Sequence, residues 1–473
     1  MLNKKHVENK DFIEFEKYFN RDFWRAFKDK KIFVDIPKNI NEKNDLIWNL
    51  FNDIKSKKYY PSTPQCYIDR NKGNGVTRII PVFTMKDYCL YYYCIKQLED
   101  KIACNRVPNT FGGWTLGGLI RKSEDDEIKR KKEDYNNHED FLAEANGISV
   151  SEYSFNPKAW AKSYGDLNSK LFATAKSKQF NWVAELDIAN YYDSIKLNLL
   201  EIKIRELVDV NKADVLSLLF HFLNYWNRET NFYNKQTVGI PQDAMGDCSR
   251  ILANFYLQSY DKYVYELCLK HECEYLRYAD DQFLFAKNKD DLNYLIFKIS
   301  KKLNSIGLSV NQKKVNLRRS NELIEYRSFE IFDIIQDKQD KSDSNKVEEF
   351  VDKYLDILDK QGLQSIKKRG YPLLNRLLFC PALKNIDLTK KSKLLGCYLD
   401  DNYLEDTKSV YLDQIYQLLF IDENKDSFIN KLLSLSDHLI HNAFHYEVLN
   451  FFVKNKISSQ DLIRQRIEQL KSE

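Results

Sequence analysis

The sequence predicts an α+β chain, an antiparallel sheet covered by helices and followed by an all-helical C-terminal domain. Two stretches predict the sheet. In the first, Trp182, Ala184, Leu186 and Ile188 alternate onto one face of a strand, leaving Val183, Glu185 and Asp187 on the other. In the second, Tyr275-Leu276 and Phe283-Leu284-Phe285 flank the polar Ala279-Asp280-Asp281, the pattern of two strands joined by a turn. The helical domain is read from Val351, Tyr354, Leu355 and Leu358, and again from Ile415, Leu418 and Leu419, with Pro and Gly only between such segments. A chain of 473 residues, 43% hydrophobic and 14% aromatic, can bury a sizeable core over two or three domains.

The opening residues, Met1 to Lys10, lack the apolar centre of a signal peptide, and no apolar run approaches the roughly 18 residues that cross a bilayer. A cytoplasmic protein with no membrane partner is expected. Nine cysteines are scattered without a Cys-x-x-Cys pair, which argues against a disulfide framework or a zinc ribbon. Cys268, His271 and Cys273 cluster, but buried thiols usually act as small hydrophobes, so these read as structural. The net charge of +4 does not announce a nucleic-acid partner. Local charge says more. Lys298, Lys301, Lys302, Lys313, Lys314, Arg318 and Arg319 crowd one region and Lys367-Lys368-Arg369 forms a second run; such clusters track phosphates or merely solvate a face. The stretches Arg121 to Asp140 and Asp337 to Glu349 are charged and poor in apolar residues, so both are expected to be exposed, the second as a domain boundary. His438, His441 and His445, at spacings of three and four, are expected on one helical face as packed or surface histidines, since no HExxH motif accompanies them.

Two adjacent acids at the tip of an apolar hairpin repel and raise one another's pKa unless a cation lies between them, so Asp280 and Asp281 make sense as a divalent metal site. An all-oxygen site favours Mg or Mn. An isolated Asp-Asp pair also reads as a solvated turn. Asp187, at the end of the other strand, supplies a third carboxylate. Three carboxylates from two strands are a minimal way to hold two metal ions about 3.5 to 4 Å apart, which stabilise the attacking and leaving oxygens of a phosphoryl transfer. That constellation resembles the palm site of nucleic-acid polymerases.

Between these segments, Gly239-Ile240-Pro241-Gln242-Asp243 starts a turn, and Ile251, Leu252, Phe255, Ser259 and Tyr263 fall on one stripe of a helix that Ser249 or Asp247 would cap. Strand with Asp, loop and helix, Asp-Asp hairpin, then Gly307-Leu308-Ser309-Val310-Asn311-Gln312-Lys313-Lys314 make an ordered set that resembles motifs A, B, C and D of reverse transcriptases. The resemblance spans roughly residues 60 to 330 and implies a right-hand polymerase fold. It implies a helical extension at 1–60, fingers at 61–180, a palm with motifs A to D at 181–335, and a helical domain at 345–473 in place of a thumb.

Carried over residue by residue, the resemblance makes Asp187, Asp280 and Asp281 the metal-binding triad, with Mg2+ or Mn2+ as cofactor. Tyr192, five residues after Asp187, becomes the bulky gate against a ribose 2′-hydroxyl. Gln242 lies near the incoming nucleotide, Lys314 protonates pyrophosphate, and Arg78, in Arg78-Ile79-Ile80-Pro81, grips the triphosphate with a planar fork. The motif B loop departs from the family, since Asp243 stands where Gly follows Pro-Gln and two extra residues precede Ser249. The Ser249-Arg250-Ile251-Leu252-Ala253 run looks more like the abortive-infection and defence-associated bacterial enzymes. That resemblance implies an RNA-directed DNA polymerase of antiphage defence, with an RNA template that in some relatives is a dedicated noncoding RNA, dNTPs, a DNA product, protein priming in some relatives, and homo-oligomers. Template-independent nucleotide addition and a noncatalytic RNA-binding scaffold are the alternatives. Loss of a triad acid would mark the scaffold, and all three acids are present.

Overall fold

The computed structural model describes residues 9–30, 32–72, 76–103, 106–116, 155, 159–227, 239–418, 422–439 and 441–457. Its contacts divide the chain into two compact units, Met1–Tyr67 with Ile80–Asn321, and Ile68–Ile79 with Glu322–Glu473. The expected excursion at Arg121 to Asp140 lies outside the described residues.

The first unit opens on three helices, α1 (Lys10–Glu16), α2 (Arg21–Lys30) and α3 (Ile40–Lys55). Asn9 and Asn39 cap α1 and α3 by accepting from the N–H of Phe12 and of Glu42. Phe12, Phe15, Phe19, Phe23 and Phe27 are buried; the last four meet in succession, edge-on or tilted, and Phe12 meets Phe51 of α3, which seats these helices on an aromatic core. After β1 (Cys66–Asn71) and β2 (Thr77–Val82), which pair as a two-stranded sheet, comes α4 (Met85–Ile102), with most of its surface buried.

The central sheet has the order β3-β5-β6-β4-β7, from β3 (Thr110–Phe111), β4 (Trp182–Asp187), β5 (Glu274–Tyr278), β6 (Asp281–Ala286) and β7 (Asn316–Arg319). It is antiparallel except at one edge, where β3 runs parallel to β5. The expected wholly antiparallel sheet is corrected there: a parallel pair needs a long crossover, and the chain between β3 and β5 supplies one. Helices α5 (Ala159–Lys176), α6 (Tyr191–Ser194), α7 (Leu197–Arg205), α8 (Ala213–Tyr225), α9 (Asp247–Lys270) and α10 (Lys289–Ser305) complete the unit. Val183 and Ala184, on opposite faces of β4, are both fully buried. The alternation in the sequence therefore marks two covered faces rather than one face toward solvent.

Among its described residues the second unit is helical apart from residues 68–79: α11 (Ser320–Tyr326, which begins in the first unit), α12 (Phe329–Ile334), α13 (Ser344–Gln361), α14 (Leu363–Leu377), α15 (Leu388–Tyr398), α16 (Asp401–Glu405), α17 (Ser409–Leu418), α18 (Asp422–His438) and α19 (Asn442–Asn455). Val347, Phe350, Val351, Tyr354 and Leu355 form the buried face of α13 and join one core with Leu374, Leu404, Ile415 and Phe451. The stretch Asp337 to Glu349 is exposed over most of its length, as expected from its charge. Asp340 accepts from the N–H of Gln336 and Asp337 and pairs with Lys346 at 2.5 Å, and Val347 is buried. The histidines do not share a helical face: α18 ends at His438, His441 is the N-cap of α19, and His445 lies within it with its ring nitrogen 2.8 Å from Leu439 O. Among the described residues, no helix is long and apolar enough to cross a membrane.

Candidate active site

The strand pairing of the first unit assembles the carboxylates. β4 and β6 run antiparallel in a register that sets Asp187 directly opposite Asp281, and β5 and β6 are joined by a two-residue turn, Ala279-Asp280. Asp280 is therefore the neighbour of a cross-strand acidic pair whose Cβ atoms lie about 4.5–5.5 Å apart by sheet geometry. The hairpin strands are buried but its tip is not, with Asp280 half-buried and Asp281 exposed. Ala279 holds φ 51, a conformation that costs a side-chain-bearing residue free energy and persists only when its surroundings impose it.

Those surroundings are a buried polar network. Arg277, 0% exposed, makes a bidentate pair with Asp261 of α9, 1% exposed, from Nε to Oδ1 at 2.8 Å and from Nη2 to Oδ2 at 2.6 Å. Its Nη1 donates to Ala279 O and to Asn254 Oδ1, both at 2.8 Å, and Tyr275 donates to Asp261 Oδ1 at 2.8 Å. The guanidinium thus grips the turn that carries Asp280. Asn254 also donates to Gly113 O at 3.0 Å, and a Cβ on Gly112 would lie 3.0 Å from the Asn254 amide. Sequence reasoning missed Arg277, Asp261 and Asn254. The available signal was an arginine inside an apolar strand and an aspartate on a helix that buries its neighbours.

Asp187 is buried and both its oxygens are engaged, Oδ1 by Lys314 Nζ and Oδ2 by Asn311 Nδ2, each at 3.0 Å. Pairing of the two segments brings them there, since Asn311 N–H donates to Asp187 O at 2.8 Å, Ala189 N–H to Ser309 O at 2.8 Å, and Ile188 bridges Val310. Lys314 is 56% exposed at its side chain, so its ammonium meets solvent as well as the carboxylate. Arg318 pairs with Glu185 at 2.8 Å and Arg319 lies over the Trp182 ring at 4.0 Å, so part of the expected basic cluster is occupied within the sheet.

The motif B loop is tied to motif A. Ile240 N–H donates to Tyr192 O at 3.0 Å, and Gly239, at φ +80, leaves no room for a side chain, because a Cβ would lie 2.5 Å from Tyr192 O. Tyr192 is half-buried in α6 with its ring 5.4 Å from that of Tyr191, and burial pushes its phenol pKa up, so it stays neutral. Gln242 is half-buried in the same loop. Asp243 organises the loop: Oδ1 accepts from the N–H of Met245 and of Gly246 at 2.9 Å each, and Ser249 Oγ donates to Oδ2 at 3.3 Å. Burial pushes the Asp243 carboxyl up, opposed by those N–H groups. The expected cap by Ser249 or Asp247 is corrected, since Gly246 at φ 71 is the N-cap of α9, Ser249 is spent on Asp243 and Tyr91, and Asp247 pairs with Arg250 at 3.1 Å. The expected stripe is corrected too. The first turns of α9 are buried all round while Ser259 is exposed, because the helix passes between the sheet and other helices.

The structure thus joins Asp187, Asp280, Asp281, Lys314, Tyr192 and Gln242 within one unit, whereas Arg78, exposed on β2, belongs to the other. Among the described residues no group of three or more His, Cys, Asp or Glu is close enough to ligate a metal. The donor set nevertheless suits a hard divalent cation, being carboxylate oxygens on facing strands with a lysine ammonium already neutralising one of them.

Residues 141–340 match the family model described as reverse transcriptase (RNA-dependent DNA polymerase). That segment carries a reverse transcriptase domain, and the α+β arrangement of β4 to β7 with their helices agrees with it. Domains of this kind generally use divalent metals such as Mg2+. No curated protein matches. Among solved structures, telomerase from Candida albicans in complex with a TWJ fragment of telomeric RNA is 13% identical, covers 58% of this chain and 50% of its own, and has a TM-score of 0.26. The corresponding complex from Candida Tropicalis is 12% identical over 88% and 70% of the two chains with a TM-score of 0.33, and its apo form is 11% identical over 84% and 71% with a TM-score of 0.32. The present chain spans about half the length of the first of these. At such scores the likeness decides nothing about fold or partner.

Proposed function

We propose that this protein is an RNA-directed DNA polymerase whose nucleotidyl transfer is centred on Asp187, Asp280 and Asp281, acting in antiphage defence. The observation that carries the catalytic part is the register that sets Asp187 opposite Asp281 with Asp280 beside it, inside the matched segment. Two Mg2+ ions held by these three carboxylates would activate the attacking hydroxyl and neutralise charge on the transferring phosphoryl group. Arg277 and Asp261 hold the turn so that Asp280 and Asp281 need not reorganise during reaction. Tyr192 walls the sugar position by bulk, its neutral ring adding no charge. Lys314 supplies a proton from Nζ to the departing pyrophosphate, and Gln242 lines the nucleotide side. The defence role, a dedicated noncoding RNA template and protein priming rest on the resemblance of the Ser249-Arg250-Ile251-Leu252-Ala253 run.

The test is incorporation of labelled dNTPs by purified protein with Mg2+, with and without copurifying RNA, resolved on a denaturing protein gel. Wild type should incorporate label with RNA present and the Asp280→Ala, Asp281→Ala double variant should not. Label that travels with the protein supports protein priming. Incorporation indifferent to both acids, or none in any RNA and metal condition, sinks the polymerase reading.

A further inference from the structure

A cleft of about 430 Å3 opens between α2 and α3, lined by Arg21, Arg25, Lys28, Lys43 and Trp24 among others. Arg21, Arg25 and Lys28 follow one another at spacings of four and three and so share one face of α2. Lys43 reaches in from α3, half-buried, with Nζ 5.2 Å from the centre of the Trp24 ring. Glu16 is the carboxylate on the lining, and Asp22 touches Arg25 only at 4.0 Å on the exposed side. Among the described residues, Arg21, Lys28 and Lys43 have no ion-pair partner. Burial and the neighbouring Lys28 ammonium push the Lys43 pKa down, the mark of cations crowded together. An anion seated among them would relieve that crowding.

Two further observations say which anion. Trp24 is 5% exposed and Ile47 2%, so the floor offers no open aromatic face on which a base could stack, and recognition falls on phosphate. In addition, α2 ends at Lys30, whose Nζ donates to Ala244 O of the motif B loop at 3.4 Å. The basic face and the loop that carries Gln242 are therefore joined by a single ten-residue helix.

We infer that this cleft is a sequence-independent site for the phosphodiester backbone of the RNA strand, with Arg21, Arg25, Lys28 and Lys43 as its phosphate contacts. The inference rests on the polymerase reading for its ligand. Arginine presents a planar fork to phosphate and lysine a point charge, so the set tolerates any sequence while fixing the path of the strand.

The full-length protein is titrated into a labelled, short single-stranded RNA of mixed sequence without dNTPs, and fluorescence anisotropy is followed over a range of salt. With Arg21→Gln, Arg25→Gln, Lys28→Gln and Lys43→Gln combined, RNA affinity should fall roughly tenfold or more. The slope of log affinity against log salt should flatten by about 0.7 for each lost contact. The charge-keeping Arg21→Lys, Arg25→Lys variant should bind close to wild type. Should the fourfold variant not fold, the exposed single changes Arg25→Gln and Lys28→Gln must each flatten the slope. Unchanged affinity and slope in folded variants overturns the inference. Cleft-dependent RNA binding without dNTP incorporation would sink the polymerase reading alone, whereas intact incorporation with RNA affinity indifferent to the four substitutions would sink only the cleft.

Discussion

Asp187 and Asp281 face each other across two paired strands, an arrangement that costs stability when both are charged. Lys314 and Asn311 offset the cost at Asp187, which is buried, while Asp281 lies at the solvent-exposed tip. The site therefore trades stability for chemistry, and the trade is measurable. In chelator-treated buffer Asp281→Asn should raise the unfolding free energy by about 0.2–1 kcal/mol, the worth of one cross-strand charge pair, while abolishing dNTP incorporation. A lower denaturation midpoint for this variant would contradict the account. Tyr192 belongs to the same scale. Its ring is kept neutral by burial, so its proposed discrimination is steric and should not vary with pH across the neutral range. Tyr192→Ala should let ribonucleotides compete with dNTPs, read by single-nucleotide extension, and unchanged sugar selectivity removes Tyr192 from the gate.

The hairpin and the motif B loop are held by buried charge. Replacing Arg277 by Met leaves Asp261 buried without its partner and should cost about 3–5 kcal/mol, whereas Arg277→Met with Asp261→Leu removes both charges and should restore most of that stability. If the pair positions the Ala279-Asp280 turn, the double variant will fold yet lose catalytic rate with little change in KM for dNTP; full activity would reduce the pair to a structural role. In the loop, Asp247 titrates at about 6 because burial raises it, against the pull of Arg250 and Lys30. Its folded pKa lies above its unfolded value of about 3.9, so the folded state binds the extra proton between these values and stability falls as pH rises from about 4 to 6. Asp247→Asn should flatten that decline in a series of unfolding midpoints, and an unchanged pH profile would show that Asp247 does not titrate in the window. Hairpin and loop differ in how well their sequences announced them. The turn at Asp280 was legible because apolar strands bracket it, but the loop's Asp243 was legible only as a departure from a pattern, since an Asx turn closed on Met245 and Gly246 leaves no periodic signal.

At the scale of the chain, period-2 and period-3.6 patterns revealed the sheet segment and the helical C-terminal domain, because each element's buried face repeats at its own spacing. Long-range placement was not legible. Nothing local says that β3 joins β5 in parallel, that Arg277 finds Asp261 on α9, or that residues 68–79 belong with the C-terminal helices rather than with the segments that flank them. Three hydrogen bonds accompany that last assignment. Asp69 N–H donates to Asn442 Oδ1 at 2.7 Å, Asn71 Nδ2 to Glu405 Oε1 at 2.6 Å, and Thr77 Oγ1 lies 3.2 Å from His441 Nε2. A chain cut after Asn321 would remove Asn442, Glu405 and His441 and leave this segment with its exposed Val76, Arg78 and Ile79. Limited proteolysis should then cleave the truncated protein within 68–79 far sooner than the intact one, while the central sheet, whose strands all lie before residue 320, stays protected. Equal protection of 68–79 in both proteins would mean that the segment is held by the first unit, and the division of the chain would have to be redrawn.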